Sequence, residues 1–114
     1  MSLNNECRLL GNLVKDPSII ESERGKFGKI RVAVNTRRGE IEDTLFIDVN
    51  LFGQSFNEED VSSMIKGDRV LIYGRLVVEE YEDKEGIKRK EPVVYAFNVI
   101  KLAKKVKSTD GSEF

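Results

Sequence analysis

The sequence predicts an all-β fold, a five-stranded barrel with one α-helix between its third and fourth strands. Three observations lead there. Apolar residues alternate with polar ones over several short stretches, the signature of half-buried strands. Only one stretch, residues 55–68, has helical periodicity with start and stop signals. With 114 residues the chain supports a single modest core, and five short strands then do best by closing on themselves, which removes exposed edges.

Taken in order, CRLLGNLV (7–14) is a short apolar run punctuated by Gly11, and Pro17 of the following KDP stops it because proline cannot donate to a ladder. KFGKIRVAVN (26–35) alternates cleanly, with Ile30, Val32 and Val34 on one face and Lys29, Arg31, Ala33 and Asn35 on the other. RRGEIED (37–43) reads as a turn. DTLFIDVNLFG (43–53) follows, with Leu45, Ile47, Val49 and Leu51 directed one way and Phe46, Asp48, Asn50 and Phe52 the other. Two aromatic rings thus share a strand's polar face with an aspartate and an asparagine.

SFNEEDVSSMIKGD (55–68) predicts the helix. Ser55 and Glu58 fit a capping box, acids crowd the first turn, Val61, Met64 and Ile65 share a face, and Gly67 sits where a left-handed cap belongs. RVLIYGRLVVEEY (69–81) and VVYAFNVIKL (93–102) predict two further strands, joined by a hairpin with the charged tip EDKEGIKRKEP. Three strands, a helix and two strands is the layout of an OB-fold Greek-key barrel, its helix plugging one end. The domain is expected over 1–103. Residues 104–114 are expected to be a short flexible tail, truncated or vector-derived.

Composition narrows the function. No histidine is present and Cys7 is the sole cysteine, which excludes His-based catalytic triads, zinc fingers and an internal disulfide; neither a cofactor nor a metal site is expected. Cys7 reads as a small buried hydrophobe. No apolar run approaches the ~20 residues of a membrane helix and the start carries no signal-peptide pattern, so a cytoplasmic location is expected. Net charge is −1, yet its distribution is uneven: residues 1–40 hold eight basic and five acidic groups, 41–68 one and seven, and 69–107 ten and six. Two basic regions flank an acidic middle, which allows a local positive groove.

Five segments in order resemble the bacterial single-stranded DNA-binding proteins: N-x-x-x-L-L-G-N-L-x-K-D-P (Asn5 to Pro17), AVNTRRGE (Ala33 to Glu40), D-T-x-F-I-D-V-x-L-F-G (Asp43 to Gly53), KGDRVLIYGRL (Lys66 to Leu76), and Y-E-D-K-E-G-x-K-R (Tyr81 to Arg89) with A-x-N-V-x-x-L (Ala96 to Leu102). The resemblance spans residues 4–102. It implies a non-enzymatic protein that lays single-stranded DNA across the outer face of the barrel during replication, recombination and repair. Bases would stack on aromatic rings, without sequence preference, and lysine and arginine would hold the backbone. It also implies a homo-oligomer, a tetramer or a dimer, and replication and repair proteins as partners.

Carried over by position, Phe46, Phe52 and Tyr81 fall where the family stacks bases. Arg38 falls at a fourth such place, where an aromatic is usual; its planar guanidinium can stack as well as meet phosphate. Arg31, Arg37 and Arg75 are backbone candidates by alternation or turn position, Lys88, Arg89 and Lys90 by clustering at the hairpin tip. Lys66 joins them or simply complements the helix dipole. Phe27, Tyr73, Tyr95 and Phe97 read as core or interface. The chain departs from the family in lacking tryptophan, in carrying Asp48, Glu79 and Glu80 on or beside the aromatic face, and in its short 37–43 turn, which implies a smaller footprint. DGSEF resembles the family's acidic, phenylalanine-ended tip but lacks the long linker, so it reads equally as a vector scar. A second function stays open, a primosome-type OB protein that works mainly by docking other proteins. A nuclease built on Asp43, Asp48, Glu79 and Glu80 has no motif spacing behind it.

Overall fold

A computed structural model describes residues 4–102; the expectations for residues 104–114 lie outside that range. The elements are β1 (Cys7–Leu13), β2 (Ser18–Ser22), β3 (Gly25–Arg38), β4 (Ile41–Leu51), a single 3-10 turn (Gly53–Ser55), α1 (Glu58–Ser62), β5 (Arg69–Glu82) and β6 (Lys88–Lys101). The strands pair in the order β1-β5-β6-β4-β3-β2, and a further pairing of β1 with β3 closes the sheet into a five-stave barrel. All pairings are antiparallel except β4 with β6. This is the expected OB-fold, with the helix between its third and fourth staves.

β2 is an addition that the sequence reading missed. Its two apolar residues, Ile19 and Ile20, are adjacent rather than alternating, so period-2 patterning passes over them. It forms because β3 begins early and offers Phe27 and Gly28 as ladder partners for Ile20 and Ile19. It stays outside the barrel, as an edge.

The core is aliphatic. Leu13, Ile30, Val32, Val34, Ile47, Val49, Leu51, Val70, Ile72, Val94 and Ala96 fill the interior and Met64 closes one end. Close approach of the staves depends on Gly74, where a Cβ would lie 2.5 Å from the Tyr95 carbonyl oxygen and 2.9 Å from the Ala96 Cα. A bulge falls beside it, between Tyr73 and Gly74.

The plug is smaller than predicted. Asn57, not Ser55, caps α1, its Oδ1 accepting from the Asp60 N–H at 3.1 Å, while the Ser55 hydroxyl turns back to the Phe52 backbone. The helix stops after one turn because buried Asp68 takes the Ile65 N–H at 2.9 Å. Gly67 does adopt positive φ, +93°, yet its N–H bonds the Leu13 carbonyl at 2.8 Å, so it splices the plug to β1 rather than capping a helix. Val61 and Met64 are buried, but Ile65 is exposed.

Both predicted turns shrink as well. β3 and β4 run on as a ribbon to a two-residue turn at Gly39 and Glu40, and β5 and β6 extend to a tip at residues 83–87. These ribbons leave the barrel, which is why Leu45, expected inside, is 46% exposed.

Candidate nucleic-acid interface

Strand alternation fixes which side chains share the outer face. On β3 the inward set is Ile30, Val32 and Val34, which sends Phe27, Lys29, Arg31, Ala33 and Arg37 outward. On β4 the inward set is Ile47, Val49 and Leu51, so Phe46, Asp48, Asn50 and, past the strand's end, Phe52 face out. Registers then join them: Arg31 lies opposite Asp48, Lys29 opposite Asn50, and Asn50 beside Tyr95 of the parallel β6. β5 adds Arg75 opposite Tyr95, and Tyr81 opposite Arg89.

Three rings form the centre. Phe52 lies between Phe27, at 4.8 Å between centroids, and Tyr95, edge-on at 5.1 Å. The Arg75 guanidinium stands 5.5 Å over the Tyr95 ring. The Tyr95 hydroxyl donates to Glu79 Oε2 at 2.6 Å, and that bond, reinforced by burial, raises the phenol above its ordinary 10.0. Asn50, 3% exposed, donates more weakly to the same carboxylate oxygen at 3.5 Å, and its own Oδ1 has no partner among the described residues. Phe52 remains 40% exposed and Phe46 54%, so both present ring area to solvent on a face otherwise ordered by hydrogen bonds.

Of the residues singled out in the sequence, the structure brings Phe52, Phe46, Arg31 and Arg75 to this face, with Arg37, Tyr81 and Arg89 on its continuation along the two ribbons. Tyr81 lies six residues beyond Arg75, roughly 20 Å along β5. Arg38, Lys88 and Lys90 alternate to the opposite faces of their ribbons, and Lys66 sits in the turn before β5 with its N–H held by Asp16 at 2.8 Å. Phe27 and Tyr95, which read from the sequence as core or interface, and Lys29, which was not among the site residues, are central to this face. The signal for Phe27 was present, since it keeps the parity of Lys29 and Arg31; that for Tyr95 was not, because it depends on β4–β6 register.

Most of these cations already hold a carboxylate. Arg31 meets Asp48 at 3.0 Å and Lys29 meets it at 3.7 Å; Arg37 pairs with Glu42 at 3.5 Å, Arg89 with Asp83 at 2.7 Å and Lys90 with Glu80 at 3.5 Å. The Arg89 contact, with backbone N–H groups of Ile87 and Glu85, holds the Asp83 carboxyl below its ordinary 3.8.

A closed OB barrel with exposed rings and basic side chains on one face defines a class, the single-strand-binding OB proteins. The sequence agrees at finer grain. Residues 4–102 match the model of the single-strand binding protein family, and the chain belongs to that family. It is 34% identical to the single-stranded DNA-binding protein of Wolinella succinogenes, over 96% of this chain and 70% of that one. It is 36% identical to the single-stranded DNA-binding protein of Deinococcus radiodurans, over 88% of this chain and only 35% of the relative's length. The crystal structure of the small single-stranded DNA-binding protein from Streptomyces coelicolor superimposes with a TM-score of 0.69 at 25% identity, covering 89% of this chain and 97% of that one. Family membership makes the chain a binding protein rather than an enzyme.

Proposed function

We propose that this chain binds single-stranded DNA without sequence preference and protects it during replication, recombination and repair. One observation carries the reading: the Phe27–Phe52–Tyr95 cluster, with Phe52 exposed at its centre and Arg75 over the Tyr95 ring, on the outer face of an OB barrel whose same face carries Arg31 and exposed Phe46 farther along. Every base has a flat π-face, so rings give affinity without reading sequence, at ~1–3 kcal/mol per base. Phe46, Phe52 and Tyr81 stack bases, and Arg75, with Arg37 and Arg89 along the ribbons, meets the backbone. Arg31 stands on the same face held by Asp48, whereas Arg38, Lys88 and Lys90 turn to the opposite ribbon faces and Lys66 lies in the turn before β5, so these four are not part of the path.

The protein works as a homo-oligomer, a tetramer in preference to a dimer. Leu10, Leu71 and Ile100 form one cross-strand row on the outside of β1, β5 and β6, with Tyr73 and Phe97 beside it, and all but half-buried Leu71 are exposed. The β1 ladder to β3 covers only Asn12 and Leu13, leaving a gap of about 340 Å³ between Arg8–Gly11 and Val34–Thr36. An apolar face beside an unpaired strand edge suits a second copy of the chain. Among the described residues no helix is long and apolar enough to cross a membrane. A cytoplasmic, nucleoid-associated location fits the proposed ligand, with replication and repair proteins as further partners.

The test is fluorescence anisotropy of a labelled oligo-dT of about 35 nucleotides, at low and high salt, beside a duplex of equal length. Tight, salt-weakened binding to the single strand alone supports the reading. Weak binding to both would overturn it in favour of a protein-docking module.

A further inference from the structure

We infer that Asp48 is a built-in competitor for the DNA backbone: its carboxylate occupies Arg31 and Lys29 until phosphate displaces it, and so limits both the affinity of the face and its salt dependence. The inference rests on the single-strand-binding reading above. Asp48 lies on β4 between Phe46 and Phe52, directly across the ladder from Arg31. Its Oδ1 accepts from Arg31 Nη1 at 3.0 Å and its Oδ2 lies 3.7 Å from Lys29 Nζ. The carboxylate is 16% exposed, against 32% for Arg31 and 40% for Lys29, so it sits beneath the two cations that a DNA backbone would approach from solvent.

The energetic consequence follows from tethering. A free cation gains on meeting a phosphate because condensed counterions leave the DNA. A cation already held by a carboxylate must first lose that partner, and the expelled carboxylate cannot diffuse away. It stays a few ångströms off, at high effective concentration, repelling the incoming phosphate and competing for the same donors. Added salt does not remove it either. Arg31 and Lys29 therefore contribute little to binding and little to its salt slope. Arg75 stands over the Tyr95 ring and, among the described residues, pairs with no acid, which makes it the central cation available to phosphate.

The experiment is the oligo-dT titration repeated with Asp48→Asn over a series of salt concentrations, folding being checked by thermal melting. Asparagine keeps the shape and an acceptor for Arg31 while removing the charge. At about 50 mM salt the variant is expected to bind roughly five- to tenfold more tightly. Its slope of log affinity against log salt should steepen by about 0.7 to 1.4, one to two additional phosphates. Unchanged or weaker binding by a folded variant would overturn the inference and make Asp48 a holder of properly placed cations. Arg31→Gln in the otherwise unaltered chain gives a second readout that does not depend on Asp48→Asn folding: the slope should stay as it was. A slope shallower by about 0.7 would show that Arg31 already holds phosphate and would likewise overturn the inference. Absence of binding by the parent chain at every salt concentration would instead refute the functional reading, and this inference with it.

Discussion

Truncating Phe46 and Phe52 separately distinguishes a stacking platform from a packed surface. Phe52 holds two ring contacts, at 4.8 and 5.1 Å, and is 40% exposed. Phe52→Ala should lose about 0.5–1.5 kcal/mol for each aromatic pair beyond the burial term. With more than half of the ring covered, that burial term is about 1–2 kcal/mol, so with two pairs the total stability loss is about 2–5 kcal/mol. Phe46 is 54% exposed, and Phe46→Ala should cost about 1 kcal/mol of stability. In binding the two should look alike. Each removes one stacked base, worth ~1–3 kcal/mol, which weakens oligo-dT affinity by about 5- to 150-fold. Urea denaturation supplies the stability and anisotropy the affinity. A marginally destabilised Phe46→Ala that has lost affinity means that ring's business is with ligand. If Phe46→Ala binds as the parent does while folded, the ring contributes nothing to binding; if Phe52→Ala does so too, the platform is elsewhere and the reasoning fails.

Other expectations are more local. Gly74→Ala should destabilise by at least ~3 kcal/mol, since its Cβ would collide with β6 backbone at 2.5 and 2.9 Å in a ladder that cannot give way; a melt within a few degrees of the parent's would refute this. Tyr95 should titrate above 10.0, and Glu79→Gln should bring its midpoint down, because the carboxylate that accepts its proton is gone. Absorbance at alkaline pH, compared between the parent and Glu79→Gln, reads this as a lowered midpoint for one tyrosine. The sign for stability follows: a raised phenol stabilises the fold below pH 10 and the gain is lost as pH rises through the native midpoint. Asp83 runs oppositely. Its depressed carboxyl lends stability above about 3.8, lost as pH falls through its lower native value, so the protection of the β5–β6 tip amides, taken relative to the intrinsic exchange rate at each pH, should fall selectively in acid.

How much of this was legible depended on the range of each interaction. The barrel was readable because its staves alternate: Ile30, Val32 and Val34 on β3 and Ile47, Val49 and Leu51 on β4 are all buried as patterned. Alternation says nothing of where a strand leaves the barrel, and so Leu45, in perfect phase with its neighbours, stands exposed on the ribbon. The helix was legible as a place and misread in length. Its end is decided by Asp68, whose carboxylate takes a backbone N–H three residues upstream only because the fold buries it there. β2 was invisible for the complementary reason, since it owes its existence to an early-starting neighbour and not to its own pattern.

The site divides along the same line, and the division bears on how the protein would work. Which rings face outward is a matter of parity, written in a single strand, and Phe46 and Phe52 could be read from eleven residues. Which charges are free is a matter of pairing between strands, and the sequence, with its basic ends and acidic middle, left that open. The fold folds the acidic middle onto the basic strands: Asp48 and Glu42 of β4 lie against Arg31, Lys29 and Arg37 of β3. Charge asymmetry along the chain is thereby cancelled across the ladder. A face so neutralised attracts a polyanion only weakly at long range, and the energy that holds a strand must come mostly from its rings, at contact. The affinity of this chain should accordingly respond more to the loss of Phe46 or Phe52 than to the loss of any arginine paired across a strand. Measuring both kinds of variant at one salt concentration would reverse that conclusion if Arg31 proved the larger.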